Sequence, residues 1–327
     1  MACSRCDREA ILHVAYSGQH LCEAHFRESV ERRVRRRIRT DELLGPSATP
    51  EDPARWLVGL SGGKDSAVLT TILQETFAED PRVELVALTV HEGIEGYRDE
   101  SLAACEALVE ELAVPHEVVT YREEFGVEMD RVVEDDPKDM AACAYCGVFR
   151  RDVLARYATE LDADLLLTGH NLDDEAQTAL MNLLEGDTEQ AARHFDASLA
   201  PIPERSDQDS FVPRAKPLRD VPEREVALYA HVRDLPAHVA TCPHASEAYR
   251  GEIQEMLFDL EEHHPGTRHA LLSGYEDLAA LAAERREDPD RTLEPCDACG
   301  EPTARERCRT CELLGALGAE SRPGEPS

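Results

Sequence analysis

The sequence predicts an α/β protein built on a doubly wound, mainly parallel sheet, with a small metal-binding module at each end. Three observations support this prediction. Short apolar runs alternate with segments of helical periodicity through the middle of the chain, as in strand–helix–strand units. A glycine-rich turn, Ser61–Ser66, joins the first of these runs to the first helix. Both ends of the chain carry paired cysteines at metal-ligand spacing.

Eight predicted elements make up the central part of the chain. They are the strands Trp56–Leu60, Glu84–Val90, His116–Thr120 and Asp164–Thr168, which alternate with the helices Ala67–Phe77, Ser101–Leu112, Gly147–Leu161 and Asp173–Leu184. Open sheets of this kind bind ligands at the carboxyl ends of their strands. The residues that follow each predicted strand are therefore the candidate site residues.

The most specific motif is the turn after the first strand, Ser61-Gly62-Gly63-Lys64-Asp65-Ser66. A strand that runs through a glycine-rich turn into a helix leaves backbone N–H groups pointing outward, and such groups bind phosphate. The turn has neither the Walker A nor the dinucleotide-binding spacing. We interpret it as another kind of nucleotide-phosphate loop, with an ordinary turn that caps a helix as the alternative.

Two further strand ends carry candidate site residues. After the second predicted strand, the backbone at Val90 and His91 could pair with the edge of an adenine ring. After the fourth, Gly169 precedes two adjacent carboxylates, Asp173 and Asp174, at the start of a helix. These carboxylates could hold Mg²⁺ and polarise reacting groups, or they could simply cap the helix.

Cysteine spacing predicts a closed zinc site at each end of the chain. The first set of ligands is Cys3, Cys6, Cys22 and His25, and the second is Cys296, Cys299, Cys308 and Cys311. Four soft ligands at this spacing close a tetrahedral Zn²⁺ site, and the segments that carry them are too small to fold on a hydrophobic core alone. Because neither set leaves an open coordination position, we expect structural zinc at both.

A third group of cysteines lies in the central part. Cys143 and Cys146 precede a predicted helix, and Cys242 could join them once the chain folds back. Three thiolates on a [4Fe–4S] cluster leave one iron free for an exogenous ligand such as sulfide. The alternatives are a dithiol redox pair and an incomplete zinc site that His244 completes.

The charge balance is strongly acidic, since 35 basic residues minus 67 acidic residues gives −32. Repulsion among carboxylates keeps a protein soluble and is muted in molar salt, where the Debye length falls to about 3 Å. We therefore expect a salt-filled cytoplasm. No apolar run approaches the roughly 20 residues that cross a bilayer, and Met1–Cys6 does not resemble a signal peptide, which predicts a cytoplasmic protein that does not associate with membranes.

One segment runs against this acidic background. The thirteen residues Arg27–Arg39 contain seven arginines around a narrow stripe of Val30, Val34 and Ile38. Such a segment is typical of a helix that contacts nucleic-acid phosphates, with a solvated helix that balances nearby carboxylates as the alternative.

Together these motifs resemble the tRNA 2-thiolation branch of the PP-loop ATPases, most closely its archaeal and eukaryotic cytosolic wobble-uridine members. The resemblance covers nearly the whole chain. It rests, in order, on the first zinc set, Ser61–Ser66, Glu92–Arg98, Cys143–Arg151, Gly169–Asp174, Cys242–Pro243, His264–Thr267 and the second zinc set. It implies the fold of the PP-loop ATP pyrophosphatases, with ATP and Mg²⁺ as ligands.

The resemblance also implies a reaction. ATP adenylates the C2 oxygen of a tRNA uridine, pyrophosphate leaves, and sulfur then displaces AMP to give 2-thiouridine. Carried onto this chain, it assigns ATP to Ser61–Ser66 with Val90, His91 and Gly169, and assigns catalytic roles to Asp174, Lys64 and Asp65. Cys143, Cys146 and Cys242 hold an oxygen-sensitive [4Fe–4S] cluster in this assignment, and Cys143 and Cys146 also count as catalytic.

Substrate and partners follow from the same resemblance. It implies tRNA, a ubiquitin-like sulfur-carrier protein and a homodimer. Arg150 stands where thermophilic relatives that thiolate uridine 54 tend to have a catalytic lysine, and arginine cannot act as a base at neutral pH. This favours wobble uridine 34 as the target. Uridine 54 and cytidine 32 are the alternative targets, and a non-catalytic zinc-ribbon protein that binds RNA or senses redox state is the alternative function.

The resemblance completes the expected domain organisation. We predict a zinc finger and basic helix in residues 1–50 and the PP-loop ATPase domain in 51–245. A helical segment follows in 246–290, a zinc ribbon in 291–315 and a disordered tail in 316–327.

Overall fold

The computed structural model describes residues 1–186, 190–192, 211–244, 249–285 and 294–319. Its strands are β1 (Leu12–Val14), β2 (Gln19–Leu21), β3 (Ala54–Gly59), β4 (Val83–His91), β5 (His116–Thr120), β6 (Leu165–Leu167), β7 (Arg214–Ala215), β8 (Glu294–Pro295) and β9 (Pro302–Thr303). The helices whose bounds fall in these ranges are α1 (Glu23–Thr40), α2 (Lys64–Phe77), α3 (Tyr97–Leu112), α4 (Tyr121–Phe125), α5 (Met129–Asp135), α6 (Ala142–Glu160), α7 (Leu172–Glu185), α8 (Glu223–Val232), α9 (Tyr249–His263), α10 (Thr267–Glu284) and α11 (Arg309–Ala316).

The central sheet has five strands in the order β5-β4-β3-β6-β7, and all of its pairings are parallel. The chain moves outward in one direction from β3 to β5 and then returns to the other side of β3 with β6. The strand order therefore reverses between β3 and β6, which is where such sheets bind ligands. This topology confirms the predicted doubly wound, parallel α/β fold.

Helices cover both faces of the sheet. Trp56 and Val58 of β3 belong to a core that also contains apolar residues of α1, α2 and α8, whereas Leu57 belongs to a second core built around α6. Successive side chains of a strand point to opposite faces, so this division follows directly from the strand geometry. All three side chains are completely buried.

The four predicted helices of the central part all begin earlier than the sequence predicts, α3 by four residues at Tyr97 and α7 by one at Leu172. Helix α2 begins at Lys64, immediately after Gly63, so the predicted phosphate loop runs straight into its first turn. Helix α6 begins at Ala142 rather than Gly147, which places Cys143 and Cys146 on its first turns. Gly147 lies inside this helix, where a Cβ atom would come within 3.1 Å of Nη1 of Arg151. The absent side chain leaves room for the guanidinium.

The two ends of the chain form small modules. The antiparallel pair β1–β2 packs against α1, and the antiparallel pair β8–β9 precedes α11. Leu313 and Leu314 of α11 join the core around α6, and Thr310 donates a hydrogen bond to Asp152 of that helix (2.9 Å). The second module therefore packs against α6, the helix that carries Cys143 and Cys146.

Parts of four predicted segments lie outside the described residues. They are 187–189, 193–210 and 245 of the predicted PP-loop domain, 246–248 and 286–290 of the helical segment, 291–293 of the zinc ribbon, and 320–327 of the tail. Among the described residues, no helix has both the length and the apolar character needed to cross a bilayer.

Candidate active site and metal centres

The loop after β3 is organised by its two serines. The backbone N–H of Ser61 donates to Oγ of Ser66 (3.1 Å), and Ser66 Oγ in turn donates to the carbonyl of Gly63 (3.0 Å). Gly62 has φ of +81°, and a Cβ atom there would lie 2.3 Å from the carbonyl oxygen of Ser101. Only glycine fits this position, so the loop closes tightly over the start of α2, where backbone N–H groups are free to bind an anion.

Lys64 and Asp65 form an ion-pair network at the mouth of this loop. Lys64 Nζ lies 3.0 Å from Asp65 Oδ2 and 2.8 Å from Glu223 Oε1. Burial alone would lower the pKa of Lys64, but the two carboxylates outweigh burial and hold this pKa above its usual value. Lys64 is therefore a cation at neutral pH that carboxylates already hold beside the loop.

Asn171 links two carboxylates at the reversal of strand order. It is the N-cap of α7, and its Nδ2 donates to Asp65 Oδ1 (2.9 Å) while its backbone N–H donates to Asp174 Oδ2 (3.1 Å). Burial is the largest influence on Asp174 and raises the pKa of its carboxyl to about 6. The hydrogen bond from the Asn171 backbone opposes this rise, and the charge of Asp65 adds to it. Asp65 and Asp174 thus face the same region, and oxygen ligands in such a pair suit Mg²⁺.

The adjacent carboxylates predicted at this helix start have different surroundings. Asp173 accepts the backbone N–H of Glu223 (2.8 Å) and pairs with Arg268 of α10. Asp174 instead lines the cavity described below, at 3.8 Å from Arg250. Asp173 therefore ties α7 to α8 and α10, while Asp174 also completes a capping box with Asn171.

The end of β4 places its two predicted residues differently. Val90 lines the cavity, and its carbonyl accepts a hydrogen bond from Arg98 Nη2 (2.6 Å). The ring of His91 turns toward Asp99 (3.3 Å) and accepts the N–H of Gly93 (3.2 Å), and it does not line that cavity. The two residues still share the strand end that the sequence pointed to.

Glu92, Arg98 and Arg150 form an ion-pair network that residue spacing did not reveal. Glu92 is 1% exposed, pairs with the buried Arg98, and accepts a hydrogen bond from Nε of the exposed Arg150 (2.9 Å). Arg98 also donates to the carbonyl of Ser61 in the predicted phosphate loop (3.0 Å). The network joins the loop after β3, the segment between β4 and α3, and α6. The only sequence signal is that a carboxylate and two arginines fall within motifs of the resemblance.

These elements enclose a cavity of about 260 Å³. Its lining includes Ser61, Asp65, Ser66, Val90, Glu92, Arg98, Arg150, Gly169, His170 and Asp174. A Cβ atom on Gly169 would lie 2.8 Å from the backbone nitrogen of Ser66, so the end of β6 passes directly beside the start of α2. The cavity therefore combines the predicted phosphate loop, two carboxylates and two arginines paired with a buried glutamate.

Arg150 connects this cavity with the central cysteines. Its Nη2 lies 3.1 Å from Sγ of Cys146, and the same nitrogen lies 2.6 Å from Glu92. The Tyr121 hydroxyl donates to the carbonyl of Cys146 (2.9 Å) and approaches its sulfur at 3.8 Å. Burial raises the pKa of Cys146, and the charge of Arg150 opposes this effect.

The other two central cysteines lie around the same region. Cys143 is exposed and stands one turn before Cys146 on α6, and Cys242 is half-buried. Cys242 and Cys146 both pack against the apolar core that contains Tyr121. Among the described residues, the ligand sets whose atoms all lie within 4.8 Å of one another do not include this trio. A wider spacing suits a polynuclear cluster better than a single ion, because the cluster itself occupies the space between its thiolates.

The two terminal sets are compact. In each, one ligand atom from every residue lies within 4.8 Å of all the others: Cys3, Cys6, Cys22 and His25 in one, and Cys296, Cys299, Cys308 and Cys311 in the other. Backbone N–H groups point at their sulfurs, as from Cys308 to Sγ of Cys296 (3.2 Å). Both donor sets therefore fit a tetrahedral metal ion.

The arginines of α1 fall into two groups. Arg33 pairs with Glu225, and Arg37 pairs with Asp220 (2.8 Å), so these two tether α1 to the start of α8. Four exposed arginines line a groove of about 470 Å³ between α1 and β1–β2, together with Arg33; they are Arg32, Arg35, Arg36 and Arg39. Two of them also have carboxylate neighbours, because Arg35 pairs with Glu31 (3.4 Å) and Arg36 lies 3.8 Å from Asp220. The groove is therefore a cationic surface that carboxylates neutralise in part.

Two family models match the chain. One, described as a PP-loop domain, matches residues 30–238, and the other, described as the N-terminal LIM domain of the 2-thiouridine synthetase TtuA, matches residues 3–27. The first covers more than half of the chain. The second coincides with the first compact set of metal ligands.

Known proteins align along almost the whole length. The chain is 63% identical to the tRNA 2-thiolation protein NcsA of Haloferax volcanii over 98% of this chain and 100% of that protein. It is 35% identical to the cytoplasmic tRNA 2-thiolation protein 1 of Aspergillus niger, over 98% and 89% of the two chains. Its fold matches the U34-tRNA thiolase NcsA of Methanococcus maripaludis, solved with its [4Fe–4S] cluster, with a TM-score of 0.81, 34% identity and coverage of 97% and 96%.

Proposed function

The chain belongs to the PP-loop family of tRNA 2-thiolation proteins, and from that premise we propose that its central cavity is where a tRNA uridine exchanges its C2 oxygen for sulfur. The protein is an ATP-dependent tRNA sulfurtransferase. One observation supports the proposal most directly: Arg150 contacts both the cavity network and the sulfur of Cys146. The nucleotide loop and the central cysteines therefore adjoin one another.

The first half of the reaction is adenylation. The C2 oxygen of the uridine attacks the α-phosphorus of ATP, pyrophosphate leaves, and the base carries AMP on that oxygen. The backbone N–H groups of Ser61–Ser66 hold the phosphates, and Lys64 neutralises charge on the departing pyrophosphate. Val90 sits at the strand end where the adenine would lie. His91 would contact the adenine through its backbone. Gly169 would let the nucleotide approach the backbone where β6 passes the start of α2.

Asp65 and Asp174 are the proposed ligands of Mg²⁺. Their side chains share Asn171 as a hydrogen-bond donor, which keeps both oxygens at the cavity. Mg²⁺ held by these oxygens would neutralise charge on the phosphates, and it would oppose the burial and the Asp65 charge that raise the pKa of Asp174. Asn171 acts as a positioning residue, because it holds both carboxylates without contacting the reacting atoms.

The second half of the reaction replaces AMP by sulfur. Cys143, Cys146 and Cys242 would hold a [4Fe–4S] cluster, which would supply the sulfide-binding chemistry for this half of the reaction. The spread and half-exposed trio fits such a cluster, as argued above. Arg150 stabilises the thiolate form of Cys146 by a charge-assisted hydrogen bond and keeps that residue beside the activated base. The C–O bond to AMP breaks as the C–S bond forms.

Wobble uridine 34 is the proposed target, and a ubiquitin-like carrier protein in the cytoplasm is the proposed sulfur source. The likeness to the U34-tRNA thiolase of Methanococcus maripaludis supports the target, and the cytoplasmic relative in Aspergillus niger supports the location. The carrier protein stays a prediction from the family resemblance. The exposed arginine groove beside α1 supports binding of the tRNA backbone, since guanidinium groups form bidentate pairs with phosphate. The homodimer stays a prediction.

Zn²⁺ is the proposed occupant of both compact sets. Sets of three or four thiolates that leave no coordination position open are typical of structural zinc. Each module is also too small to fold on a hydrophobic core alone. The metal would hold the module at the start of α1 and the module that leans on α6 in fixed positions.

The proposal is tested by anaerobic reconstitution with iron and sulfide, followed by incubation with ATP and an unmodified tRNA transcript. Mass spectrometry of the digested nucleosides should detect 2-thiouridine, and a transcript with cytidine at position 34 should yield none. Thiouridine that persists in the second transcript would move the target to another position, such as uridine 54. A thiolated cytidine would replace the uridine assignment altogether.

A matched pair of variants separates catalysis from folding. Asp174→Ala should abolish pyrophosphate release in the presence of tRNA, because it removes a proposed metal ligand. Asp80→Ala is the control, since Asp80 pairs with Arg82 at the surface and neither residue lines the cavity. Unchanged pyrophosphate release in Asp174→Ala would refute the catalytic assignment.

A further inference from the structure

Arg151 and Arg214 form a cationic pair that the proposed reaction does not use. Arg214 lies on β7, and its Nη2 donates to the backbone carbonyl of Arg151 on α6 (3.3 Å). Residue Leu166, which pairs with Arg214 in the β6–β7 ladder, belongs to the core on the α6 side of the sheet. The side chain of Arg214 therefore emerges on the face that carries α6.

No carboxylate pairs with either arginine among the residues that the structure describes. Arg33, Arg37, Arg55, Arg156 and Arg233, by contrast, all have carboxylate partners. Desolvation, and then the neighbouring Arg150, lowers the pKa of Arg151, and desolvation followed by Arg151 lowers the pKa of Arg214. The two guanidiniums thus repel each other in the absence of an anion.

The pair also stands next to the reactive region. Arg151 follows Arg150 directly, and a Cβ atom on Gly147 would lie 3.1 Å from its Nη1, so its side chain runs back along the first turns of α6 toward Cys146. The charge of the Cys146 sulfur is among the influences on Arg151. An anion held by Arg151 and Arg214 would therefore lie beside the thiols, and outside the cavity that takes the phosphates of ATP.

We propose that Arg151 and Arg214 bind a backbone phosphate of the tRNA next to the target uridine. The inference rests on the proposed function, because that function requires a nucleotide to enter between the cavity and Cys146. A nucleotide inside a chain brings a phosphate on each side, and two planar guanidiniums suit phosphate oxygens. The site differs from the groove beside α1, whose lining includes neither Arg151 nor Arg214.

The test compares Arg151→Gln and Arg214→Gln with Arg82→Gln, whose guanidinium pairs with Asp80 on the surface. Affinity for the tRNA is measured by fluorescence anisotropy over a series of salt concentrations. Losing one phosphate contact should reduce the slope of log K against log salt by about 0.7–0.9. Arg82→Gln should keep the wild-type slope, and Arg214→Lys should restore most of it.

Two further readouts keep the outcome specific. Both glutamine variants should raise the KM for tRNA while the KM for ATP and the iron and zinc contents stay at wild-type values. In an anticodon stem-loop, replacing the phosphate next to uridine 34 by an uncharged methylphosphonate should lower the affinity for the wild type. The same replacement should leave the affinity for Arg214→Gln unchanged. An unchanged salt slope, a raised KM for ATP, or loss of iron in Arg214→Gln would each overturn the proposal.

The experiment also separates this proposal from the function on which it rests. If the wild type makes no 2-thiouridine but the salt slopes differ as expected, the phosphate site stands and the reaction assignment falls. If the wild type thiolates uridine 34 and the slopes are equal, the reaction stands and the phosphate site is refuted.

Discussion

The compact cysteine sets at the two ends and the cysteine trio at the centre use the same side chain in opposite ways. Every ligand atom of a compact set lies within 4.8 Å of its partners, whereas the central trio is spread between α6 and a loop. The ends present donors that are already gathered for one ion. The centre leaves thiols half-exposed beside a cavity with charged groups, which is what a reacting centre requires and a structural one does not.

The largest expected effect tests the centre. Cys146→Ser should reduce 2-thiouridine formation to background and remove the iron-dependent absorbance, while two zinc ions per chain remain, because the compact sets are separate from the trio. Absorption spectra, metal analysis and the nucleoside assay measure these three properties.

Cys105→Ser is the matched control for that experiment. Cys105 is a completely buried thiol whose pKa burial raises, and it should tolerate the change with iron content unaltered. Loss of zinc rather than iron in Cys146→Ser would contradict the division between centre and ends.

The next effect tests an end. Cys299→Ser should release one of the two zinc ions and expose the segment around α11 to proteolysis. Thiolation should fall only in part, because α11 supports α6 through Leu313, Leu314 and the Thr310–Asp152 hydrogen bond but does not enter the cavity. Zinc analysis and limited proteolysis check this, and complete loss of iron in the variant would show that the end is part of the centre.

A smaller effect is expected at the link between cavity and centre. Arg150→Lys keeps the charge but cannot contact Glu92 and Cys146 in the same geometry, so the thiolation rate should fall about tenfold, the value of one charge-assisted hydrogen bond. The cluster should form but lose its iron faster in air. A variant with the wild-type rate and wild-type oxygen sensitivity would remove Arg150 from the mechanism.

The smallest effect concerns stability. Asp174 has a pKa of about 6 in the fold, above its ordinary value of 3.8, so the folded protein binds this proton more tightly than the unfolded chain does. The protein without nucleotide or metal therefore loses stability as the pH rises from about 4 to above 6. Asp174→Asn should raise the Tm at pH 7 and leave it nearly unchanged near pH 4.

Thermal denaturation at the two pH values measures this effect. Asp80→Asn is the control, and because Arg82 lowers the pKa of Asp80, the change there should slightly lower the Tm at pH 7. A lower Tm for Asp174→Asn at pH 7 would show that its capping hydrogen bond matters more than its desolvated charge.

Local patterns predicted much of this fold and part of the site. Short apolar runs that alternate with segments of helical periodicity predicted the strands β3 to β6. A parallel sheet covered by helices on both faces requires strands that are continuous apolar runs. The spacing of the terminal cysteines predicted both compact sets, since their ligands lie on short turns. Their identity as zinc sites stays a prediction.

Other features depend on contacts that spacing does not encode. Asp173 and Asp174 are adjacent carboxylates that the sequence does not distinguish. In the structure, Asp173 pairs with Arg268 of α10, whereas Asp174 lines the cavity. Glu92, Arg98 and Arg150 meet only because β4, α3 and α6 converge. In the same way, Arg33 and Arg37 look like RNA contacts until the start of α8 supplies their carboxylates.

The stretch from Asp220 to Glu225 has a consequence for genetics. Arg33 and Arg37 of α1 form ion pairs with its Glu225 and Asp220. Glu223 pairs with Lys64 through its side chain and donates its backbone N–H to Asp173. Substitutions at Asp220, Glu223 and Glu225 each remove one of these contacts from a short segment that also carries the others. Alleles isolated at these three positions will therefore affect both α1 and the loop after β3, and second-site suppressors will show which contact each allele has damaged.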